Sequence, residues 1–476
     1  MTSADVRALL PLIVLTSAPV LVMLVVAFTR NHRLTCGLTV AGLIVAAASM
    51  GPAMGLAPRE VTPLFVVDGF GLVYLGLILA AALAVTLLAY GYLEGRKEQP
   101  EEFYLLVLLA TLGAAVLVIA RHFASFLLGL EILSVSLYGL IAYDRTARRC
   151  VEAGLKYLVL AAASDAFLLF GMALIYAETG SLAFSPTPAP EMGRAIGVLY
   201  GTGLAMMITG IGFKLAVVPF HLWTPDVYQG APAPVTAFVA TVSKGAMFAL
   251  MFRYLGPMSG VTGAPLFAVL SIIAIASMFV GNLTALLQNN VKRILAYSSI
   301  AHLGYLLVAF LASRPTSTRA VTFYLVAYFV TTLGAFGIVT ILSTAERDAD
   351  SLDDYRGLFW RRPWLAGTFT AMLLSLAGIP LTAGFIGKFF VMTAGVGSAL
   401  WLLVTCLVVN SVIGIFYYTR VLVAMFSSPP EGAVVSAAMP HSLPGRVVLA
   451  VLLGLLFWLG VYPNVFLFVI EAAVAA

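Results

Sequence analysis

Three lysines stand in stretches where charge is expensive. Lys214 lies in ITGIGFKLAVVPFHLW, Lys244 in TAFVATVSKGAMFALMF and Lys388 in LSLAGIPLTAGFIGKFFVM, and Glu131, in SFLLGLEILSVSLYGLIAY, is the obvious anionic counterpart. A charge at the centre of a bilayer costs about 2.5–3.5 kcal/mol on insertion scales, so such groups should face a bundle interior with ionic or hydrated surroundings. A desolvated amine releases its proton more readily, a nearby carboxylate strengthens its hold, and a second ammonium weakens it. Moving the carboxylate, or a proton on a neighbouring lysine, therefore changes whether Lys214 stays charged, which is the physics of a relay. A static Glu131–Lys214 brace between two helices is the alternative. The additional lysines, which lack equally evident anions, favour a hydrated path.

Two of these stretches are also broken. Pro219 removes a backbone donor just beyond Lys214, and Gly378 and Pro380 do the same eight to ten residues before Lys388. Interrupted helices at membrane depth are tolerated where protein or water satisfies the freed backbone groups, and they commonly form ion sites. His221, seven residues beyond Lys214, could pass protons or simply donate to a carbonyl. His302, in AYSSIAHLGYLLVAF with Tyr305, could extend a polar chain toward Lys388 or make a helix-packing hydrogen bond. Asp165, inside AAASDAFLLFGMALIY, reads as a neutral hydrogen-bonded acid, a weaker candidate for the relay. Lys156 can snorkel to the interface beside Arg148 and Arg149, and Asp68 and Glu178 are boundary groups.

The elements that must position these residues are membrane spans. The chain has 476 residues, is 62% hydrophobic and 10% charged, and has a mean hydropathy of +1.04, well outside the soluble range. About fourteen apolar segments are long enough to cross a bilayer: 9–28, 35–53, 68–92, 103–120, 123–143, 155–178, 195–218, 233–255, 264–287, 294–312, 320–343, 364–392, 398–426 and 447–470. The expected fold is an all-α polytopic membrane protein, one integral domain over 1–476 with no soluble domain. The first span lacks a short apolar core with a cleavage site and is expected to be retained. Loops after odd-numbered spans hold Arg30, Arg33, Arg96, Lys97, Arg145, Arg148, Arg149, Lys292, Arg293, Arg347, Arg356, Arg361, Arg362, Arg420 and Arg446. The other side holds Arg7, Arg59, Arg121, Arg194, Arg253, Arg314 and Arg319. Cations collect on the inner side, which places both termini on the outer side of the membrane.

Other chemistries fail on the same residues. The net charge of +5 comes from cations scattered at span ends, with no basic patch for nucleic acid. Cys36, Cys150 and Cys406 form no C-x-x-C pair, and His32, His122, His221, His302 and His441 lack ligand spacing, so no metal or iron–sulfur site is expected in this chain. The glycine run at 201–212 lacks the strand and helix context of a nucleotide site and fits close helix packing better. No Ser-His-Asp or paired-carboxylate hydrolase arrangement is evident. Two five-span units, 103–255 and 264–426, each carry a break in the fourth span, with 1–102 and 427–476 flanking. Because five is odd, successive units would be inverted, with the seventh and twelfth helices discontinuous.

Three segments carry a family resemblance: VPFHLWTPDVYQGAPAPVTAFVATVSKGA at 218–246, NNVKRILAYSSIAHLGY at 289–305 and LAGIPLTAGFIGKF at 376–389. The chain resembles, over nearly its whole length, the proton-translocating membrane subunits of respiratory NADH-quinone oxidoreductase (complex I), a family that also looks like subunits of multisubunit sodium/proton antiporters. The loop before Lys244 is similar to the subunit N branch; the L and M branches show a different loop and a histidine near that place, and L carries a lateral helix beyond the last span. By resemblance, Glu131 matches the fifth-helix glutamate, Lys214 the lysine of the broken seventh helix, Lys244 the eighth-helix lysine and Lys388 the lysine of the broken twelfth. The resemblance implies a respiratory-chain translocase subunit in which these groups link half-channels, partnered by other antiporter-like and small multi-span subunits and by lipid. It implies no cofactor here: NADH, FMN, iron–sulfur clusters and quinone would belong to partner subunits. A subunit of a cation/proton antiporter, or of a photosynthetic or hydrogenase-like complex, is the alternative, and a noncatalytic scaffold with dry, fixed Lys–Glu pairs is the third.

Overall fold

The structure is a computed structural model and describes residues 2–94, 96, 99–184, 197–256, 263–313, 316–428 and 443–475. His441, Lys97, Arg194 and Arg314 lie outside the described residues. Among the described residues, thirteen helices are long and apolar enough to cross a membrane, so the chain is an all-α polytopic membrane protein. Among the described residues, one small sheet accompanies the helices, an antiparallel ribbon of Arg59–Val61 with Phe65–Val67 between the second and third of these helices.

Most expected spans are found close to their expected limits; Ala233–Leu255 coincides with 233–255. The segment at 364–392, where an interruption at Gly378 and Pro380 is expected, is two short apolar helices, Pro363–Ala377 and Ala383–Gly397, and one other span differs in extent. The last span, expected to run to 470, stops at Val461, and a separate helix, Asn464–Ala475, follows Pro463. Proline lacks the N–H that would continue the ladder, and an apolar scale does not register that loss.

Burial sorts helices that look alike in hydropathy. Ala233–Leu255 is buried along its whole apolar window, and Val291–Leu311 and Thr316–Leu342 over 89% of theirs, whereas Leu10–Phe28 is buried over 28%. The three central helices carry Lys244, His302 and a row of tyrosines. Around them, Pro100–Ile119 packs on Phe123–Ile141, Arg148–Thr179 on Val198–Leu215, and Lys244–Leu255 back on Pro100–Ile119. In the second half, Gly263–Leu286 packs on Val291–Leu311, Thr316–Leu342 on Ala383–Gly397, and Trp401–Phe426 back on Gly263–Leu286. The glycine run at 201–212 does serve packing: a Cβ on Gly203 would meet the Gly171 carbonyl at 2.8 Å, so these two helices touch backbone to backbone.

Candidate functional site

The first break is built from its backbone outward. Val198–Leu215 ends with Ala216 in the left-handed region (φ 60°), where the Ala216 N–H donates to the Phe213 carbonyl at 2.9 Å and the Val217 N–H to the Gly212 carbonyl at 3.0 Å. The chain turns through Pro219 and restarts as Trp223–Gly230. The groups freed by the break find partners: Trp223 Nε1 donates to the Phe213 carbonyl at 3.0 Å, and the Val218 N–H donates to Ser277 Oγ at 2.9 Å. The second break repeats this device. Gly378 takes φ 87°, its N–H and that of Ile379 both reach the Leu374 carbonyl at 3.0 Å, and the helix restarts at Ala383. In both, a left-handed residue closes the helix with a bond back from the residue after it.

The lysines occupy the ends so created. Lys214 stands in the last turn of its half-helix, and Lys388, from the restarted half, reaches back to donate to the Ala377 carbonyl at 2.9 Å. The two lysines fall on opposite sides of the prolines in sequence: Lys214 belongs to the last turn of its first half-helix, and the Lys388 ammonium comes to the carbonyl end of its own, where the helix dipole favours a cation. Gly378 makes room for the second: a Cβ there would meet Lys388 Cδ at 2.8 Å.

The partners differ from the sequence expectation in one respect. The carboxylate in contact with Lys214 is Asp165, at 2.9 Å, and Ser134 accepts a further hydrogen bond at 2.9 Å. Glu131 is half-buried, one helical turn from Ser134, within electrostatic reach of Lys214 and Asp165 but with no ion pair of its own among the described residues. The reason is packing. Arg148–Thr179 lies so close against the Lys214 helix that Asp165 arrives beside the ammonium, while the helix that carries Glu131 meets the same ammonium through Ser134, one turn further on. His221 is buried with Nδ1 unpartnered among the described residues, and no hydrogen bond joins it to Lys214. Lys156 pairs with Glu152 at 2.8 Å and Asp226 at 2.9 Å, tying the sixth span to the short helix beyond the break.

Lys244 is 1% exposed and, among the described residues, has no carboxylate in an ion pair with it. It donates to Ser299 Oγ at 2.7 Å and lies over the Tyr228 ring at 5.2 Å. Ser299 shares a hydrogen bond with Tyr328 at 2.7 Å. A turn along the same helix, His302 Nδ1 is bonded to the Tyr324 hydroxyl at 2.7 Å, and Nε2 faces Tyr418 at 3.4 Å. The His302 ring meets Tyr305 edge to face at 5.4 Å, and Lys388 stands over that same Tyr305 ring at 5.2 Å. A π turn at Val239–Ser243 directly precedes Lys244 and adds one residue to the winding, aiming its side chain. Tyr305 and the serines beside His302 were noted in the sequence, but Ser299 as the acceptor for Lys244, and Tyr324 and Tyr328, were not, although Ser299 and His302 at i, i+3 and Tyr324 and Tyr328 at i, i+4 share helix faces and were the available signal.

The buried protonatable and hydroxyl groups fall in two sets, Asp165–Lys214–Ser134 and the contiguous row Lys244–Ser299–Tyr328–His302–Tyr305–Lys388. Such a row can hold, reorient and transfer protons, and no covalent chemistry suggests itself. Comparison with known proteins agrees. Residues 120–414 match the family model described as NADH:quinone oxidoreductase/Mrp antiporter, TM. NADH-quinone oxidoreductase subunit N of Ectopseudomonas mendocina is 51% identical over 97% of this chain and 95% of its own. A chain of respiratory complex I from Thermus thermophilus, solved with bound aureothin, superposes with a TM-score of 0.82 at 35% identity, covering 96% of this chain and 98% of that one. A chain of the Mrp complex from Dietzia sp. DQ12-45-1b shares the fold, with a TM-score of 0.85 at 20% identity over 100% of this chain and 97% of its own. The chain belongs to the NADH:quinone oxidoreductase/Mrp antiporter transmembrane family and is a close homologue of NADH-quinone oxidoreductase subunit N.

Proposed function

We propose that this chain is a proton-translocating membrane-arm subunit of an NADH-quinone oxidoreductase in a bacterial inner membrane. NADH, FMN, iron–sulfur clusters and quinone act in partner subunits, and redox energy reaches this one as a change of charge or hydration at its flank. The observation that carries the reading is the pair of buried sets, in which Lys214 has a carboxylate in contact while Lys244 and Lys388 have only hydroxyls, a ring face or a backbone carbonyl. A change at Glu131, half-buried beside the first set, alters the field at Asp165 and Lys214. The shift in proton affinity then passes to Lys244 and, through Ser299, His302 and Tyr305, to Lys388.

Units 103–255 and 264–426 act as inverted repeats in this reading. Supporting it, both halves use the same left-handed closure at their break, and the order in which their helices pack is the same. Pro363–Ala377 and Ala383–Gly397 then count as one discontinuous crossing, giving fourteen in all, with 1–102 and 427–476 flanking and both termini on the periplasmic side. Partners are the neighbouring membrane-arm subunits and lipid. The test is the assembled complex in proteoliposomes with Lys214→Ala or Glu131→Ala. Coupled turnover or pumping should drop; an unchanged proton-to-electron ratio in both overturns the assigned roles.

A further inference from the structure

Lys292 and Asp348 take no part in the row described above. Lys292 is wholly buried, a position an ammonium holds only when fully compensated. It donates to Asp348 Oδ2 at 2.7 Å and to the Ala231 carbonyl at 2.6 Å. Asp348 Oδ1 accepts from the Tyr92 hydroxyl at 2.7 Å and from Arg96 at 3.3 Å. The Asp348 loop is stitched to the start of the Lys292 helix, with the Val291 N–H on the Asp350 carbonyl at 2.6 Å and the Leu352 N–H on the Asn289 carbonyl at 3.1 Å. Asp348 is 13% exposed at the face that carries most of the cations.

Both walls between this cluster and Lys244 are polar. Lys292 and Ser299 are seven residues apart and share a stripe of one helix, about 10 Å along its axis, and Ser299 accepts from Lys244. Opposite, the Ala231 carbonyl gripped by Lys292 is three residues from Tyr228, whose hydroxyl lies 3.5 Å from Ser299 Oγ. Thr236 Oγ1 bridges them, 3.2 Å from the Tyr228 carbonyl and 3.4 Å from that of Ala231. Lys292 thus holds, at the surface end, the same two elements that converge on Lys244 deeper in.

We propose that Asp348 and Lys292 form the gate through which protons reach Lys244 from the cation-rich face. The proposal rests on the proton-translocation reading above. An ammonium pinned in line with Lys244 repels an incoming proton, and Asp348 lowers that barrier without removing it. When the pair lets go of the Ala231 carbonyl, Tyr228 and Ser299 are free to pass a proton to the neutral amine of Lys244, which becomes an ammonium; Lys292 keeps its charge throughout. Lys292 and Asp348 are positioning residues, acting through the junction at Ala231.

Single and double neutralisation should give opposite phenotypes in the assembled complex. Asp348→Asn leaves an uncompensated ammonium in the path, and turnover and pumping should fall together by about tenfold. The pair Lys292→Gln with Asp348→Asn removes the barrier while retaining hydrogen-bonding groups. NADH oxidation should continue, protons pumped per electron should fall, and passive proton leak into vesicles should rise several-fold; Lys292→Arg should stay tight and coupled. A double variant as tight and coupled as the parent overturns the gate, as does one whose turnover and pumping fall together as in Asp348→Asn. If Asp348→Asn does not assemble, Tyr228→Phe decides: slowed turnover in an assembled complex supports the route and parental turnover overturns it. Lys244→Ala separates the two readings, because pumping that survives it defeats translocation through this chain. Pumping lost in Lys244→Ala with a tight, coupled double variant defeats the gate alone.

Discussion

The Lys388 ammonium is held at the carbonyl end of a half-helix, which attracts a cation, whereas Lys214 is held by Asp165 and Ser134. Their partners differ, and so should their substitutions. Asp165→Ala strands a buried ammonium, a loss of about 3–5 kcal/mol, and should lower the amount of assembled complex on native gels. Asp165→Asn keeps an acceptor for Lys214 but removes its counter-charge, so assembly should persist while pumping falls by about tenfold. Glu131→Gln, which breaks no direct ion pair, should leave assembly unchanged while lowering pumping. At Gly378, φ 87° and the Lys388 stem leave no place for a Cβ. Gly378→Ala should cost about 1–2 kcal/mol in backbone strain and displace the ammonium from the Ala377 carbonyl, seen as a lower melting temperature together with weaker pumping.

At the scale of elements, the π turn at Val239–Ser243 sets where Lys244 points. Deleting Val242 would replace the wide i→i+5 turn by a plain α turn and change the aim of Lys244 relative to Ser299. The expected outcome is an assembled complex with quinone reduction uncoupled from, or blocked together with, pumping; parental pumping by the deletion variant would show that the turn does not aim the lysine. The broken helices were legible beforehand because proline and glycine carry backbone consequences that need no context. The π turn was not, since VATVS has no residue that demands it. Asp165 was underrated for a related reason: nothing local says which of two carboxylates, on two adjacent helices, the packing brings to Lys214.

For the whole molecule, the cation-rich face is tied together by ion pairs between distant segments. Lys156 and Arg293 meet on Asp226, while Lys292 and Arg96 meet on Asp348. Burial alone would raise the Asp348 carboxyl, but Lys292 and Arg96 outweigh it and hold it below the usual value; Asp226 is likewise lowered against burial by Lys156 and Arg293. A depressed carboxyl contributes stability above its unfolded value of about 3.9, lost as pH falls through the lower folded value. The melting temperature of the solubilised complex should therefore change little from these groups between pH 7 and about pH 4, then drop below it. Asp348→Asn should melt lower at pH 7 and show a shallower acid fall.

Membrane class, most of the spans, the helix ends near Pro219 and Gly378 and the family were legible in the order of residues alone, because the cost of charge and of unpaired backbone in lipid acts locally and leaves marks in any short window. Which helices form the buried centre, that Asp165 is the carboxylate on Lys214, and that Ser299, Tyr228, Tyr305 and Tyr328 surround the deeper lysines were decided only in three dimensions. Serine, tyrosine and a lone aspartate fit many apolar helices equally well, and it is the close approach of particular helix faces that gives them partners.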